Sequence, residues 1–503
     1  MKNILILGGG TAGWMAANAF QHALKNEGFS ICLVESPDIA TIGVGEGSTP
    51  HLKRFFDNLN INEREWMPSC NATYKNGISF IDWTEHLPEN RYFHPFPSII
   101  DRQTAGAFLN NCMARHHGHS VDVNPDHYFL AKTLSANGYG PLTLPGQPSI
   151  AMNYAYHFDS NLLGKFLAKK GKDAGVAHIQ GKFVKAYNNE SGDISHIELQ
   201  DKRKLHADFF IDATGFASYL LQQHCDVKFD SFESSLFNDS AIALPSEVAS
   251  PILAETKATA LTHGWAWHIP LTNRTGNGYV FSSKYTNFED AELELRKHLG
   301  ETNNTVSENT SARHIKMKVG QVKKSWCNNV MAIGLAQGFI EPLEATALHM
   351  VMDSIDLFLQ TFKNGEYKNS DRSTFNKAVS NRYLGIKDYI VCHYKVNQKA
   401  KGEYWTDCRN IEDISDNLKT VLDAWQHKQD ITPVLEKLGM LNYYPAISWY
   451  CLLAGYGYFS HVTNTKLDNA NIGFGQQDKA RMQTFLKQRA AQFTLHEDLL
   501  RAK

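Results

Sequence analysis

A mixed α/β fold is expected for this sequence, with an α/β lobe carrying an inserted β-sheet and a mostly helical C-terminal lobe. Three observations predict it. A short apolar run, Ile4 to Leu7, leads into Gly8-Gly9-Gly10-Thr11-Ala12-Gly13 and a helical stretch to about Leu24. A second apolar run, Ser30 to Val34, closes on an acid, Glu35. From Thr346 onward the pattern turns helical and stays largely so. The first two make a β-turn-α-β unit with an acid at the tip of its second strand, the opening of a Rossmann-like lobe.

A chain of 503 residues exceeds a single small core. A prior of ~150 residues per domain gives about three units, although two interleaved lobes accommodate the same length. We divide it into residues 1–350, an α/β lobe with interleaved substrate-side β elements, and 351–503, a helical lobe completing the substrate site. Between these landmarks the pattern reads helix then strand from about Tyr156, strands over Ile194 to Leu199 and Ala207 to Ile211, and further strands within Leu261 to Ser282.

Composition narrows the class. Hydrophobic residues make up 43% and charged residues 20%, ordinary for a soluble globular protein. With a net charge of −2 and a pI near 6.9, no field exists to gather nucleic acid or anionic lipid. The cluster Lys202-Arg203-Lys204 reads as a solvated turn. The eight cysteines are scattered without a C-x-x-C pair, so no metal site is expected and reduced thiols of a cytoplasmic protein are. The apolar run at the start is too short for a signal peptide, and no stretch is long enough to span a bilayer.

The glycine-rich loop is the first chemical signal. G-x-G-x-x-G alone is weak, but here a strand precedes it, a helix follows, and an acid stands at the expected distance. Gly8 allows the tight turn, Gly10 lets a pyrophosphate approach the backbone, and Gly13 lets helix and strand pack closely. Thr11 and Ala12 open the helix whose N-terminal amides face the phosphates. Glu35 is placed to accept from ribose hydroxyls. FAD and NAD share this fingerprint. Asp212-Ala213-Thr214-Gly215, after the strand Phe209-Phe210-Ile211, resembles the "ATG" element of FAD-dependent oxidoreductases, and Met331-Ala332-Ile333-Gly334 supplies a third segment. Together they select FAD and a glutathione-reductase-like lobe.

Further motifs name a family. Gly264-Trp265-Ala266-Trp267-His268-Ile269-Pro270 matches the W-x-W-x-I-P signature of flavin-dependent halogenases of the tryptophan-halogenase family. Gly8 to Trp14 resembles its nucleotide loop, and Gly338 to Thr346 its G-F-x-E-P-L-E-S-T segment. Ala72-Thr73-Tyr74-Lys75-Asn76-Gly77-Ile78 is similar to the stretch bearing its catalytic lysine. Lesser matches, Tyr92 to Phe96 and Asp388-Tyr389-Ile390 to His393-Tyr394, extend the resemblance to about residue 460.

The resemblance implies FAD, used as FADH2, a chloride or bromide ion, a small aromatic substrate and a separate NAD(P)H-dependent flavin reductase. It allows a homodimer. It adds Gly43, Val44, Gly45, Val184, Leu335 and Ile340 to the cofactor residues. Lys75 and Glu344 become the catalytic pair, and the amides of Thr346 and Ala347 the halide site. His94, Phe96, Trp265, Trp267, Pro342 and Trp449 fall to the substrate side. In that scheme reduced flavin, oxygen and halide give hypohalous acid, which reaches the ring by way of Lys75. Trp265 and Trp267 would then separate flavin from substrate. Alternating aromatics on a strand put both rings on one face, which is also how ordinary cores are built. Thr346 likewise doubles as a plain helix cap, and a helix start favours an anion in either case.

Lys75 could act as a halogenated amine or as an ammonium donating to hypohalous acid. Burial pulls a lysine pKa down by about 3–5, while a carboxylate at ~4 Å offsets this by about 4 kcal/mol at an effective dielectric of ~20. The two nearly cancel, so both forms stay open, and Glu344 is assigned to position Lys75 and stabilise the cationic ring intermediate. Two departures stand out. Ala345-Thr346-Ala347 replaces the family's frequent Ser-Thr-Gly, which removes a hydroxyl and adds a methyl beside the halide amides. Leu441 to Ser448 runs almost directly into Trp449-Tyr450-Cys451, with no glutamate between Leu441 and Tyr458. Tryptophan-specific members carry an E-x-x-x-F-W-like clamp there, so an indole-type substrate is expected ahead of free tryptophan. Two alternatives remain, a single-component FAD monooxygenase and a non-catalytic flavin-binding protein.

Overall fold

The computed structural model describes residues 2–38, 45–248, 250–307, 310–368, 370–460 and 476–502. Two compact units interleave along the chain. The first takes residues 1–72, 158–233 and 317–384, and the second takes 73–157, 234–316 and 385–503. Neither follows the division at residue 350, because long excursions leave and re-enter each unit.

The first unit is built on a six-stranded sheet ordered Trp326–Cys327, Val330–Ala332, Phe209–Asp212, Asn3–Leu7, Ser30–Glu35 and Ala177–Gln180. All pairs are parallel except the first, which is antiparallel. Parallel strands need crossovers, and helix Thr11–Leu24 supplies the one between Asn3–Leu7 and Ser30–Glu35. The near-continuous apolar runs follow from burial of both sheet faces: Ile4, Leu5, Ile6 and Leu7 are all buried. Since the three cofactor segments all follow the carboxyl ends of adjacent strands of this sheet, the predicted nucleotide lobe is present.

A seven-stranded sheet organises the second unit, in the order Arg313–Lys316, Ser240–Ala243, Thr275–Phe281, Gly264–Pro270, Glu255–Ala260, Gly77–Ile81 and Arg91–Pro95. This is the inserted sheet. Leu261 to Ser282 resolves into the strands Gly264–Pro270 and Thr275–Phe281, closed by the Leu271 amide on the Arg274 carbonyl. One face is covered by helix Phe288–Glu301, with Ile242, Leu244, Ala266, Tyr279 and Phe281 packed against Ala291, Leu295 and Leu299.

Two boundaries differ from the sequence reading. The helix expected from about Tyr156 begins at Ser160, because Ala155–Asp159 is a buried strand and the Asp159 carboxylate caps the amides of Asn161 and Leu162. The strand expected from Ala207 begins at Phe209. The C-terminal part is helical as read, with Ala347–Asn364, Arg372–Lys395, Asp416–Gln426, Ala446–Gly455 and Gln476–Ala490 among its helices. No helix among the described residues is long and apolar enough to cross a membrane.

Candidate active site

In the first unit, the glycine loop shows which backbone positions are closed and which are open. A methyl on Gly8 would lie 2.3 Å from the Ala213 carbonyl oxygen, and one on Gly13 would lie 2.0 Å from the Gly8 oxygen. Gly10 and Gly215 differ: a methyl on either meets no atom of the described residues within 4 Å. The loop thus packs tightly against the "ATG" segment and leaves open space where a pyrophosphate must come close, so these residues fit a dinucleotide. Gly334 (φ +60°) brings the third segment against helix Thr11–Leu24, its added methyl falling 2.9 Å from the Ala12 Cβ.

Glu35 accepts from His178 Nε2 at 2.7 Å. A carboxylate has about four lone-pair sites, so capacity for ribose hydroxyls remains. Asp212 is committed internally. Its buried carboxylate accepts from the Thr214 amide (3.1 Å) and hydroxyl (2.6 Å), and from the amides of Leu220 (2.9 Å) and Leu221 (2.8 Å). Burial still raises its pKa, the bonds offsetting only part of that cost. Asp212 therefore shapes the loop that presents Gly215. Val184 lies on the strand Phe183–Asn188 with 56% of its surface exposed. Gly45 begins the strand Gly45–Gly47, whereas Gly43 and Val44 lie outside the described residues. Sequence reading passed over Glu46, the next residue, whose carboxyl is pushed by burial to about 7 against a hydrogen bond from Ser160.

Leu335 is half-buried and Ile340 buried. Pro342 is exposed at the head of the single turn Pro342–Glu344, and Glu344 is buried at its end. Ala345 then adopts φ +56° and Thr346 precedes helix Ala347–Asn364. A non-glycine residue in that region carries local strain. Helix starts leave amides without intrahelical partners, and here they belong to buried Thr346 and half-buried Ala347. This is the geometry of an anion site.

The first two turns of the same helix carry a polar knot. His349 stacks on His51 at 3.6 Å and lies 3.1 Å from Asp353 Oδ2. The ligand atoms of His51, His349 and Asp353 all fall within 4.8 Å of one another. Arg382 and Arg54 converge on the same carboxylate, which already balances its charge. Burial lowers the His51 pKa to about 4, and the neighbouring His349 adds to this.

The second unit carries the lysine and the aromatics. Lys75 ends the strand Thr73–Lys75, fully buried, with Nζ 5.6 Å from the centre of the Phe96 ring. Cross-strand register places the aromatic residues. Trp267 lies between Ala258 and Gly278, and Trp265 between Ala260 and Val280. The small neighbours of Trp267 make room for its indole: a methyl on Gly278 would fall 2.0 Å from Trp267 Cζ2. Ala258 pairs with Phe80, which pairs with Tyr92; Thr256 pairs with Ile78, which pairs with His94. Directly paired residues share a face. Trp265, Trp267, Thr256 and His94 therefore lie on one face of the sheet, opposite the face covered by helix Phe288–Glu301.

His94 is buried, and Tyr389 reaches it edge-on at 6.3 Å. Tyr389 also meets the buried Trp449 edge-on at 4.8 Å and donates to the Ser448 carbonyl at 3.1 Å. Tyr389 thus joins His94 and Trp449, which are far apart in sequence. The sequence quoted it only inside a lesser match, and no spacing rule would have singled it out.

Comparison with known proteins bears on this arrangement. Residues 3–471 match the family profile described as tryptophan halogenase. The 7-chloro-L-tryptophan 6-halogenase KtzR of a Kutzneria species is 34% identical, covering 97% of this chain and 96% of its own. The structure of the tryptophan 6-halogenase SttH from Streptomyces toxytricini is 31% identical, with a TM-score of 0.86 over 100% of both chains. That of BrvH, a flavin-dependent halogenase from Brevundimonas sp. BAL3, is 27% identical, with a TM-score of 0.84 over 100% of this chain and 99% of that one. A profile spanning nearly the whole sequence, together with the shared fold, establishes that this chain belongs to the tryptophan halogenase family.

Proposed function

We propose that the protein is an FADH2-dependent halogenase acting on an electron-rich, indole-type aromatic ring through Lys75. The observation that carries this reading is a fully buried lysine beside the Phe96 ring, within the family's lysine motif. An amine removed from water keeps a reactive halogen species from hydrolysis and offers it in one direction. When bound, reduced flavin would supply the two electrons with which oxygen can oxidise halide to hypohalous acid, the second oxygen atom leaving as water. The open faces of Gly10 and Gly215 would admit its pyrophosphate, and the amides of Thr346 and Ala347 would hold chloride or bromide. Lys75 presents the halogen. Trp265 and Trp267 exclude water and substrate from the flavin side, and His94, Phe96 and Trp449 hold the ring by stacking. Glu344 stabilises the positive charge that develops on it. The experiment is turnover of an aromatic panel with a flavin reductase and bromide, read by product mass.

Two expectations follow from this reading. One nucleotide fingerprint occurs in the sequence, so electrons should arrive as free reduced flavin. Purified protein mixed with FAD and NADH should oxidise NADH no faster than buffer, and adding a flavin reductase should start product formation. Rapid NADH oxidation by the protein alone would favour the monooxygenase alternative.

The second concerns substrate. With no glutamate between Leu441 and Tyr458, this segment offers no carboxylate to an amino acid's ammonium group. Losing a charge-assisted contact forfeits about 1.5–3 kcal/mol, or roughly tenfold or more in affinity. In competition at equal concentration, indole should be halogenated about tenfold ahead of tryptophan. A kcat/KM for tryptophan at or above that for indole would remove the clamp argument.

A further inference from the structure

Behind Lys75 lies a buried hydrogen-bonded chain that the proposed reaction does not use. Thr73, two residues before Lys75 and on the same face of its strand, pairs with His157 of the strand Ala155–Asp159. The Thr73 hydroxyl donates to the Pro270 carbonyl at 2.7 Å and lies 3.0 Å from His157 Nδ1. The opposite ring nitrogen, Nε2, lies 2.9 Å from the Thr256 hydroxyl. His157 and Thr73 are both completely buried.

Proton counting fixes the tautomer. A hydroxyl has a single hydrogen, and Thr73 directs its own to Pro270. Toward His157 it can only accept, so Nδ1 carries the imidazole proton. Nε2 is then free to accept from Thr256, and a neutral ring satisfies every atom in the chain. Burial holds the His157 pKa well below its ordinary value, and the charges of Lys75, His496 and His268 push the same way. The strands reached are informative. Pro270 ends the strand that carries Trp265 and Trp267, and Thr256 lies on its neighbour, on the face those indoles share.

We infer that His157 is a positioning residue for Lys75, a neutral imidazole that laces the lysine's strand to the sheet bearing Trp265 and Trp267 and so fixes where the amine meets its halogen donor. This rests on Lys75 being the halogen-delivering group. Losing that registration leaves hypohalous acid formation intact and reduces its capture. Its signature is therefore a changed ratio of halogenated product to escaped hypohalous acid, which a general loss of stability would leave alone.

The test compares His157→Leu, His157→Asn, Thr256→Val and Lys75→Ala, each loaded with FAD and supplied with reductase, bromide and indole. Product is read by mass, and escaped hypobromous acid by a soluble trap. The Asn amide nitrogen falls where Nδ1 stood and can keep the bond to Thr73, whereas Leu keeps neither bond. His157→Leu should lower the product-to-escape ratio about tenfold, as expected for two lost buried hydrogen bonds of ordinary strength, and His157→Asn should restore it to within about twofold. Thr256→Val, which leaves the Thr73 bond in place, should give an intermediate ratio and guards against misfolding of the His157 variants. A wild-type ratio in His157→Leu, or equal losses in the Leu and Asn variants, would overturn the inference while Lys75→Ala still abolished product. Retained product in Lys75→Ala would instead overturn the reading of the lysine itself.

Discussion

Replacing Lys75 with alanine is expected to abolish halogenated product while leaving FAD binding and hypohalous acid formation nearly intact. The lysine lies in the second unit, whereas the glycine loop, the "ATG" element and the Thr346 and Ala347 amides proposed for halide all belong to the first. Its removal therefore leaves every group assigned to oxidation in place. Losing a covalent or charge-assisted delivery step costs on the order of 10²–10⁴ in rate. Product formation should fall by at least two orders of magnitude, with a matching rise in trapped hypohalous acid. Retained regioselective turnover would remove Lys75 from the mechanism.

The second large effect separates two glycines of one loop. Gly13→Ala would place a methyl 2.0 Å from the Gly8 oxygen, a contact that forces the helix off the strand. Overpacking of this kind costs about 1–3 kcal/mol, so both melting temperature and FAD affinity should fall. Gly10→Ala would meet no atom of the described residues within 4 Å. Its melting temperature without cofactor should match the wild type, while FAD affinity drops by about tenfold to a hundredfold because the methyl occupies the phosphate approach. Thermal melts and flavin titrations of both variants check this. Equal FAD affinity in Gly10→Ala and wild type would mean that the pyrophosphate lies elsewhere.

The parts of the fold written in local pattern were legible in the sequence. Asn3–Leu7, the loop to Gly13 and the strand ending at Glu35 are buried runs punctuated by glycines and an acid, and each segment carries its own signal. The inserted sheet was less so. Gly77–Ile81 pairs in parallel with Glu255–Ala260, almost two hundred residues away, and no local feature of Gly-Ile-Ser-Phe-Ile announces that partner. The stretch from about Tyr156 suggested a helix because Ser160 onward is helical, and the cap at Asp159 was missed.

The candidate site divides in the same way. Lys75, Trp265 and Trp267 came from motifs. The common face of Trp267, Thr256 and His94 is a consequence of strand register, which a single sequence does not state. Asp212 looked like a cofactor ligand because it precedes Ala213-Thr214-Gly215, yet its carboxylate is consumed by the turn that presents Gly215. His157 gave no signal at all. Its meaning comes from the two threonines it touches, at positions 73 and 256.

The central claim is that halide, oxygen and reduced flavin are combined here to halogenate an aromatic ring, and the halide dependence of product mass tests it most directly. With a flavin reductase, NADH, FAD and indole present, bromide should give a product bearing the paired bromine isotope signature. Chloride should give its chlorine counterpart, and neither should form when halide is left out. A hydroxylated product that forms at the same rate with and without halide would contradict the account.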